Sequence, residues 1–197
     1  MEEILFLVKP ELMVAMALAS RMADTEVICV SGALQYSLVS GYGSSFEFNG
    51  DYDHRRGAQA PPKVCAIDAI RGGGPAMTEA AMLRDMNKAR LAFDGAREVA
   101  TGHWGCGAFG NHHDLMFIKQ WLAASEAGVQ KMYYHDFDRK QSHNVVPLSR
   151  RLRHLTVGQL WAFLLELTSD LQPANMATFS SRIRDVATGK LQAEQLP

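Results

Sequence analysis

One ten-residue stretch constrains the fold of this chain more than any other: Thr101-Gly102-His103-Trp104-Gly105-Cys106-Gly107-Ala108-Phe109-Gly110. Four of its residues, within a span of nine, are glycine. It follows a β-branched segment, Glu98–Thr101, that reads as a strand. It precedes a helical stretch, Asp114–Ala127, and then a second strand, Val129–Tyr134. A strand, a glycine turn, a helix and another strand form the repeating unit of α/β architecture with a parallel or mixed sheet. The rest of the chain fits that class. Val27–Val30, closed by Ser31-Gly32, and Val64–Ile70 read as buried strands, and Phe46–Phe48 alternates like one. Glu2–Val8 reads as a short helix, and Pro10 starts another that runs to Met22. Met77–Phe93 is amphipathic. Met82, Met86, Ala89 and Phe93 share one face, while Arg84, Asp85 and Lys88 fall elsewhere. Thr156-Val157-Gly158-Gln159 has the form of a capping box before an apolar helix that ends near Leu167. Residues 51–62 read as an exposed loop, and the residues after Gln172 as a loosely packed polar tail.

A chain of 197 residues, 47% hydrophobic and 21% charged, has material for one globular domain. The net charge of -1 advertises no basic surface for a polyanion. Backbone N–H donors escape such a count, so an anion site built from them stays open. Cys29, Cys65 and Cys106 show no CxxC spacing, which supports neither a zinc site nor a redox pair. Read as three free thiols, they suit a reducing compartment. No apolar run is long enough to span a bilayer, and the acidic start Met1-Glu2-Glu3 is unlike a presequence. The expectation is a soluble intracellular protein without a membrane partner.

Several residues carry a chemical and a plain reading side by side. The glycine loop can cradle a diphosphate on backbone N–H groups at a helix N-terminus, or it can be a tight turn packed under Trp104 and Phe109. It matches neither the Walker nor the dinucleotide pattern. Arg71-Gly72-Gly73-Gly74-Pro75 reads as a flexible linker rather than a ligand site, since Pro75 removes a donor. Glu2 and Glu3 read by themselves as a solvated helix start. Tyr42, between glycines, is a stacking residue or a loop anchor. Phe137 has the same two readings, after a strand end where α/β ligands bind. His112 and His113 read as surface histidines rather than metal ligands.

The loop also carries a resemblance. Ala100–Gly110, "ATGHWGCGAFG", resembles the "ATGNWGCGAFGG" loop of poly(ADP-ribose) glycohydrolases. "MEEILFLVKPEL" at Met1–Leu12 resembles that family's "QEEIRFLINPEL". "GALQYSLVSGY", "AIDAI", "RDMNKARLAF" and "LTVGQLWAFLLEL" resemble further family blocks, in the family's order and close to its spacing. The resemblance implies a macrodomain, a mixed sheet between helical layers, as a partial catalytic domain over residues 1–170 with a tail over 171–197. It implies hydrolysis of ribose–ribose O-glycosidic bonds in poly(ADP-ribose), without metal or other cofactor. The partners it implies are poly(ADP-ribose) or ADP-ribose on modified proteins, with no direct reading of nucleic acid. Glu3 aligns with the catalytic acid/base, and Glu2 with the neighbour that orients the ribose. Gly105, Gly107, Ala108, Phe109 and Gly110 align with the diphosphate loop, and His103 and Cys106 count among its substrate-binding positions. Tyr42 and Phe137 align with aromatics at the adenosine end. The location implied is nuclear, cytoplasmic or both.

The sequence departs from the family in three places. His103 stands where the family has Asn, and Asn111-His112 replaces Gly-Asp. The family's GGG segment lies upstream of the Glu-Glu pair and is not in this sequence; Gly72–Gly74 lies elsewhere. The chain is therefore expected to be N-terminally truncated relative to the family. The alternative to an active enzyme is a weak or inactive ADP-ribose-binding module or fragment.

Overall fold

A computed structural model describes residues 2–19, 21–53, 60–136, 144–169 and 176–191. The chain divides into two compact units, Met1–Ile67 and Asp68–Pro197.

In the N-terminal unit, helix α1 (Glu2–Val8) leads into a 3-10 turn (Pro10–Met13) and helix α2 (Val14–Leu18). The helix expected from Pro10 to Met22 is thus divided and shorter. Pro10 opens a tighter turn, because its ring fixes φ and it donates no N–H. Strand β1 (Ile28–Val30) pairs antiparallel with β4 (Val64–Ala66), so that Cys29 faces Cys65. Strands β2 (Ser37–Ser40) and β3 (Glu47–Asp51) form an antiparallel pair with an irregularity between Leu38 and Val39. The Tyr36 N–H donates to the Val8 carbonyl over 2.8 Å and holds α1 beside this pair. Val8, Leu12 and Ala33 are buried, while Leu7, Met13, Val14, Met16 and Leu18 are exposed.

Cys29 and Cys65 form a disulfide, which corrects the expectation of three free thiols; Cys106 is the free cysteine. The partners are 36 residues apart in sequence. Pairing of β1 with β4 brings them together, a fact that no local spacing rule reads. The thiol argument for a reducing compartment no longer applies.

The C-terminal unit contains the βαβ unit expected around the glycine loop. Strand β5 (Glu98–Gly102) pairs in parallel with β6 (Lys131–His135), and helix α4 (His113–Glu126) connects them. Helix α3 (Glu79–Phe93) packs along α4, and its N-cap Thr78 accepts a hydrogen bond from the Ala81 N–H. Helices α5 (Val145–Leu152), α6 (Val157–Ser169) and α7 (Met176–Thr188) complete the unit. The capping box before α6 forms as expected: the Gln159 N–H donates to Thr156 Oγ1, and the Thr156 N–H donates to Gln159 Oε1 over 2.9 Å. Met82, Met86, Leu115, Ile118, Leu122, Leu148, Leu152, Leu164 and Leu167 build the core.

The loosely packed tail is corrected in part. Residues 176–188 form α7, and Phe179, Ile183 and Val186 are buried in that same core. Those side chains recur at i, i+4 and i+7, an apolar stripe diluted in the sequence by serines and arginines. Among the described residues the strands pair two by two, and no helix is long and apolar enough to cross a membrane.

The polar face expected on α3 is also corrected. Asp85 and Lys88 are fully buried, as is Lys119 of α4. Asp85 accepts hydrogen bonds from Lys119 Nζ at 2.8 Å, Arg84 Nη1 at 3.1 Å and the Ile70 N–H at 3.1 Å. Arg84 also reaches Asp68 Oδ2 at 2.6 Å, and Lys88 donates to Asp68 Oδ1. Burial favours the neutral form of Asp68, but Lys88 and Arg84 outweigh it and hold the carboxyl below its usual range. Burial also lowers the Lys119 pKa, against the attraction of Asp85.

Candidate active site

The glycine loop leaves β5 at Gly102 and folds on itself. Inside it, the Trp104 N–H donates to the Gly102 carbonyl at 2.7 Å, Cys106 to His103 at 3.0 Å, and Gly110 to Gly107 at 2.9 Å. Gly105 (φ +70°) and Gly110 (φ +67°) adopt the left-handed conformation. Gly105 has a second reason to be glycine: a Cβ there would lie 2.7 Å from that of Ala69. After this internal bonding, the N–H groups of Gly105, Gly107, Ala108 and Phe109 have no acceptor among the described residues. Gly107–Gly110 are exposed. The loop therefore carries backbone donors without an internal acceptor on the exposed residues Gly107, Ala108 and Phe109, the construction that binds an anion without side-chain charge.

Two neighbours hold the loop, and sequence reasoning missed both. Asn111 is buried, and its amide donates to the Ile70 carbonyl at 2.8 Å and the Gly105 carbonyl at 3.1 Å. Its backbone N–H also donates to Gly105 at 3.1 Å. Gly72 donates its N–H to the Phe109 carbonyl at 2.7 Å, and a Cβ on Gly72 would fall 2.3 Å from the Gly110 oxygen. The segment read as a flexible linker is thus a close-packed seat for the glycine loop. A run of glycines signals both, and only the neighbouring backbone distinguishes them. Gln120 is also buried; it donates to the Gly102 and Met116 carbonyls and bonds Thr101 Oγ1, joining β5 to α4.

His103 lies at the end of β5. Its Nε2 is 3.2 Å from Asp136 Oδ1, and its ring meets His113 edge-on at 4.5 Å. Cys106 Sγ lies 3.5 Å from the Trp104 carbonyl. Burial pushes the thiol up to about 12, so it stays protonated and is no nucleophile at neutral pH. Phe109 is 44% exposed and presents its ring to solvent.

The remaining expected positions belong to the N-terminal unit, apart from Phe137, which lies outside the described residues. Glu2 and Glu3 occupy the first turn of α1. Glu3 is exposed, and a hydrogen bond from its own backbone N–H is the largest cause holding its carboxyl below the usual range. Tyr42 is 64% exposed. Its N–H donates to Ser45 Oγ, which donates back to the Tyr42 carbonyl, so the turn is fixed while the ring stays accessible.

The reading of His112 as a surface histidine is corrected. Its Nε2 lies 2.7 Å from Ser180 Oγ on α7, and its ring stacks edge-on to Phe179 at 5.0 Å. Burial, with a smaller contribution from His113, pushes its pKa down to about 4. The unfolded chain therefore binds a proton at His112 between about pH 6.5 and 4 that the folded chain refuses. The stabilisation is intact above about pH 6.5 and declines as pH falls toward 4. Urea titrations should show a loss on the order of 1–2 kcal/mol from this group between pH 7 and pH 5. His112→Gln should flatten that slope; an unchanged slope would assign it to other groups.

The profile of the family described as "Poly (ADP-ribose) glycohydrolase (PARG), Macro domain fold" matches residues 1–144. The chain is 31% identical over 219 residues to probable poly(ADP-ribose) glycohydrolase 2 of Arabidopsis thaliana, covering 86% of this chain and 42% of that protein. It is 27% identical to poly(ADP-ribose) glycohydrolase 1 of the same plant, over 95% of this chain and 49% of the relative. Against poly(ADP-ribose) glycohydrolase 1 of Caenorhabditis elegans the identity is 34%, over 64% of this chain and 19% of the relative. The chain belongs to the poly(ADP-ribose) glycohydrolase family, whose fold is a macrodomain and whose class is α/β. It spans less than half the length of each of these relatives.

Proposed function

We propose that this chain binds the ADP-ribose unit of poly(ADP-ribose) and takes part in hydrolysing the ribose–ribose O-glycosidic bond. The observation that carries the proposal is the set of N–H groups at Gly105, Gly107, Ala108 and Phe109 that find no acceptor among the described residues, the last three of them on exposed residues. A diphosphate supplies the acceptors these donors lack, and neutral backbone donors agree with a net charge of -1. Tyr42 and Phe137 are assigned to the adenosine, Glu2 to orienting the ribose, and His103, Cys106 and Gly110 to shaping the loop.

Glu3 is the proposed acid/base. It donates a proton to the leaving ribose oxygen as the glycosidic C–O bond breaks, then takes one from the attacking water. An exposed carboxyl with a lowered pKa is mostly ionised at neutral pH, so donation requires that bound sugar desolvate it and raise that pKa. The same observation favours the second reading, an ADP-ribose-binding module without turnover.

Two measurements test the proposal: calorimetry with ADP-ribose, and release of ADP-ribose from purified poly(ADP-ribose). Binding with release supports the enzyme, and binding without release supports the module. Failure to bind ADP-ribose refutes both.

A further inference from the structure

The overall charge of -1 conceals a concentration of cations in the C-terminal unit. Arg150 and Arg151 end α5, Arg153 follows it, Arg184 lies one turn before the end of α7, and Lys190 lies two residues beyond that end; all five are exposed. The two helix ends meet. Arg151 Nε donates to the Ala187 carbonyl at 3.0 Å, and its guanidinium crowds the position a Cβ on Gly189 would take. The half-buried carboxylates on neighbouring elements are Asp185 of α7 and Glu166 of α6. Among the described residues, Arg150, Arg153, Arg184 and Lys190 have no carboxylate within ion-pairing distance. Cations at helix C-termini complement the helix dipole, which accounts for one or two of them. Five exposed cations at one corner exceed that need.

The corner has a fixed relation to the glycine loop. His112, just beyond the loop, bonds Ser180 in α7; Arg184 stands one turn further along the helix, and Lys190 and the end of α5 lie beyond its C-terminus. From Ser180 to Thr188 the helix rises about 12 Å. A linear polyanion held at the loop by one unit can therefore extend along α7 toward the corner.

We infer that this corner binds the phosphates of further units of a poly(ADP-ribose) chain whose end unit occupies the glycine loop. The inference rests on the proposed function and extends it from one ADP-ribose to the polymer. The corner lies outside residues 1–144, the segment matched by the family profile. No exposed aromatic side chain stands on α5, α6 or α7. The stacking platform that single-stranded nucleic acid favours is absent from these helices, and phosphate contact is what they offer.

The test measures binding of the full chain to poly(ADP-ribose) of defined length, to monomeric ADP-ribose, and to single-stranded RNA with the same number of phosphates. Wild type is compared with the triple variant Arg150→Ser, Arg153→Ser, Arg184→Ser. These arginines are exposed, and a thermal melt verifies that the variant folds. The expected result is about a tenfold loss of affinity for the polymer and none for the monomer. The slope of log affinity against log salt should be shallower by about 2, from three lost contacts on a single strand. Unchanged polymer affinity in the variant overturns the inference, and so does RNA binding as tight as polymer binding. If the monomer fails to bind while polymer binding still depends on the three arginines, the glycine-loop reading falls and the corner stands. If neither ligand binds, both fall.

Discussion

Replacing Asp85 with alanine is expected to cost about 3–5 kcal/mol of stability, because it strands a buried ammonium group. Asp85 and Lys119 are both fully buried, and they pair at 2.8 Å. Burial already lowers the Lys119 pKa with its partner present, so without Asp85 the amine must shed its proton or stay charged in an apolar site. A domain of this size has about 5–15 kcal/mol in total, so the loss is a large share. The effect also reaches the candidate site. Asp85 accepts the Ile70 N–H, and the Ile70 carbonyl accepts the Asn111 amide that holds Gly105. Urea denaturation measures the stability and calorimetry the affinity for ADP-ribose. The pair Asp85→Leu, Lys119→Met should recover most of the stability, since replacing both charges avoids the stranded one. A single Asp85→Ala variant that unfolds at the wild-type urea concentration would refute this account.

The second large effect is on turnover. Glu3→Gln should lower ADP-ribose release from the polymer by about 10²–10⁴-fold, the usual contribution of a positioned acid/base. The amide matches the carboxyl in shape but can neither donate nor accept the transferred proton. Glu3 is exposed on the first turn of α1, so the melting temperature should not move. ADP-ribose affinity should also hold, because the donors proposed for the diphosphate are the N–H groups of Gly105, Gly107, Ala108 and Phe109. Glu2→Gln should reduce turnover less, since an amide can still hydrogen-bond a ribose hydroxyl. Turnover by Glu3→Gln within about threefold of wild type would remove Glu3 from the acid/base role, since a true acid/base contributes far more.

Most of the α/β pattern was legible in the chain, and the reasons are local. The unit β5–loop–α4–β6 follows from β-branched runs separated by glycine and by a long stretch of helix formers. The Thr156–Gln159 box forms as written, because a capping box is completed within four residues. The misreadings concern partners distant in sequence. Cys29 and Cys65 pair through two strands, and Gly72 becomes a seat only when Gly110 lies against it. Asp85 and Lys88 read only as lying off the apolar face, because α3 by itself cannot show that Asp68 and Lys119 meet them. His112 reads as exposed until Phe179 and Ser180 arrive from a segment taken for a tail.

The candidate site divides along the same line. Its glycine loop and its acidic pair were visible as short motifs, since each depends on residues adjacent in the chain. Tertiary structure alone decided which N–H groups the loop uses internally and which find no acceptor among the described residues, and that Asn111 and Gly72 hold it in place. The same holds for the basic corner, where net charge sums over the whole chain and a surface potential depends on which cations the fold gathers. Local chemistry determined the elements and the loop. Long-range packing determined which polar groups are satisfied inside the protein and which the described residues leave without an acceptor.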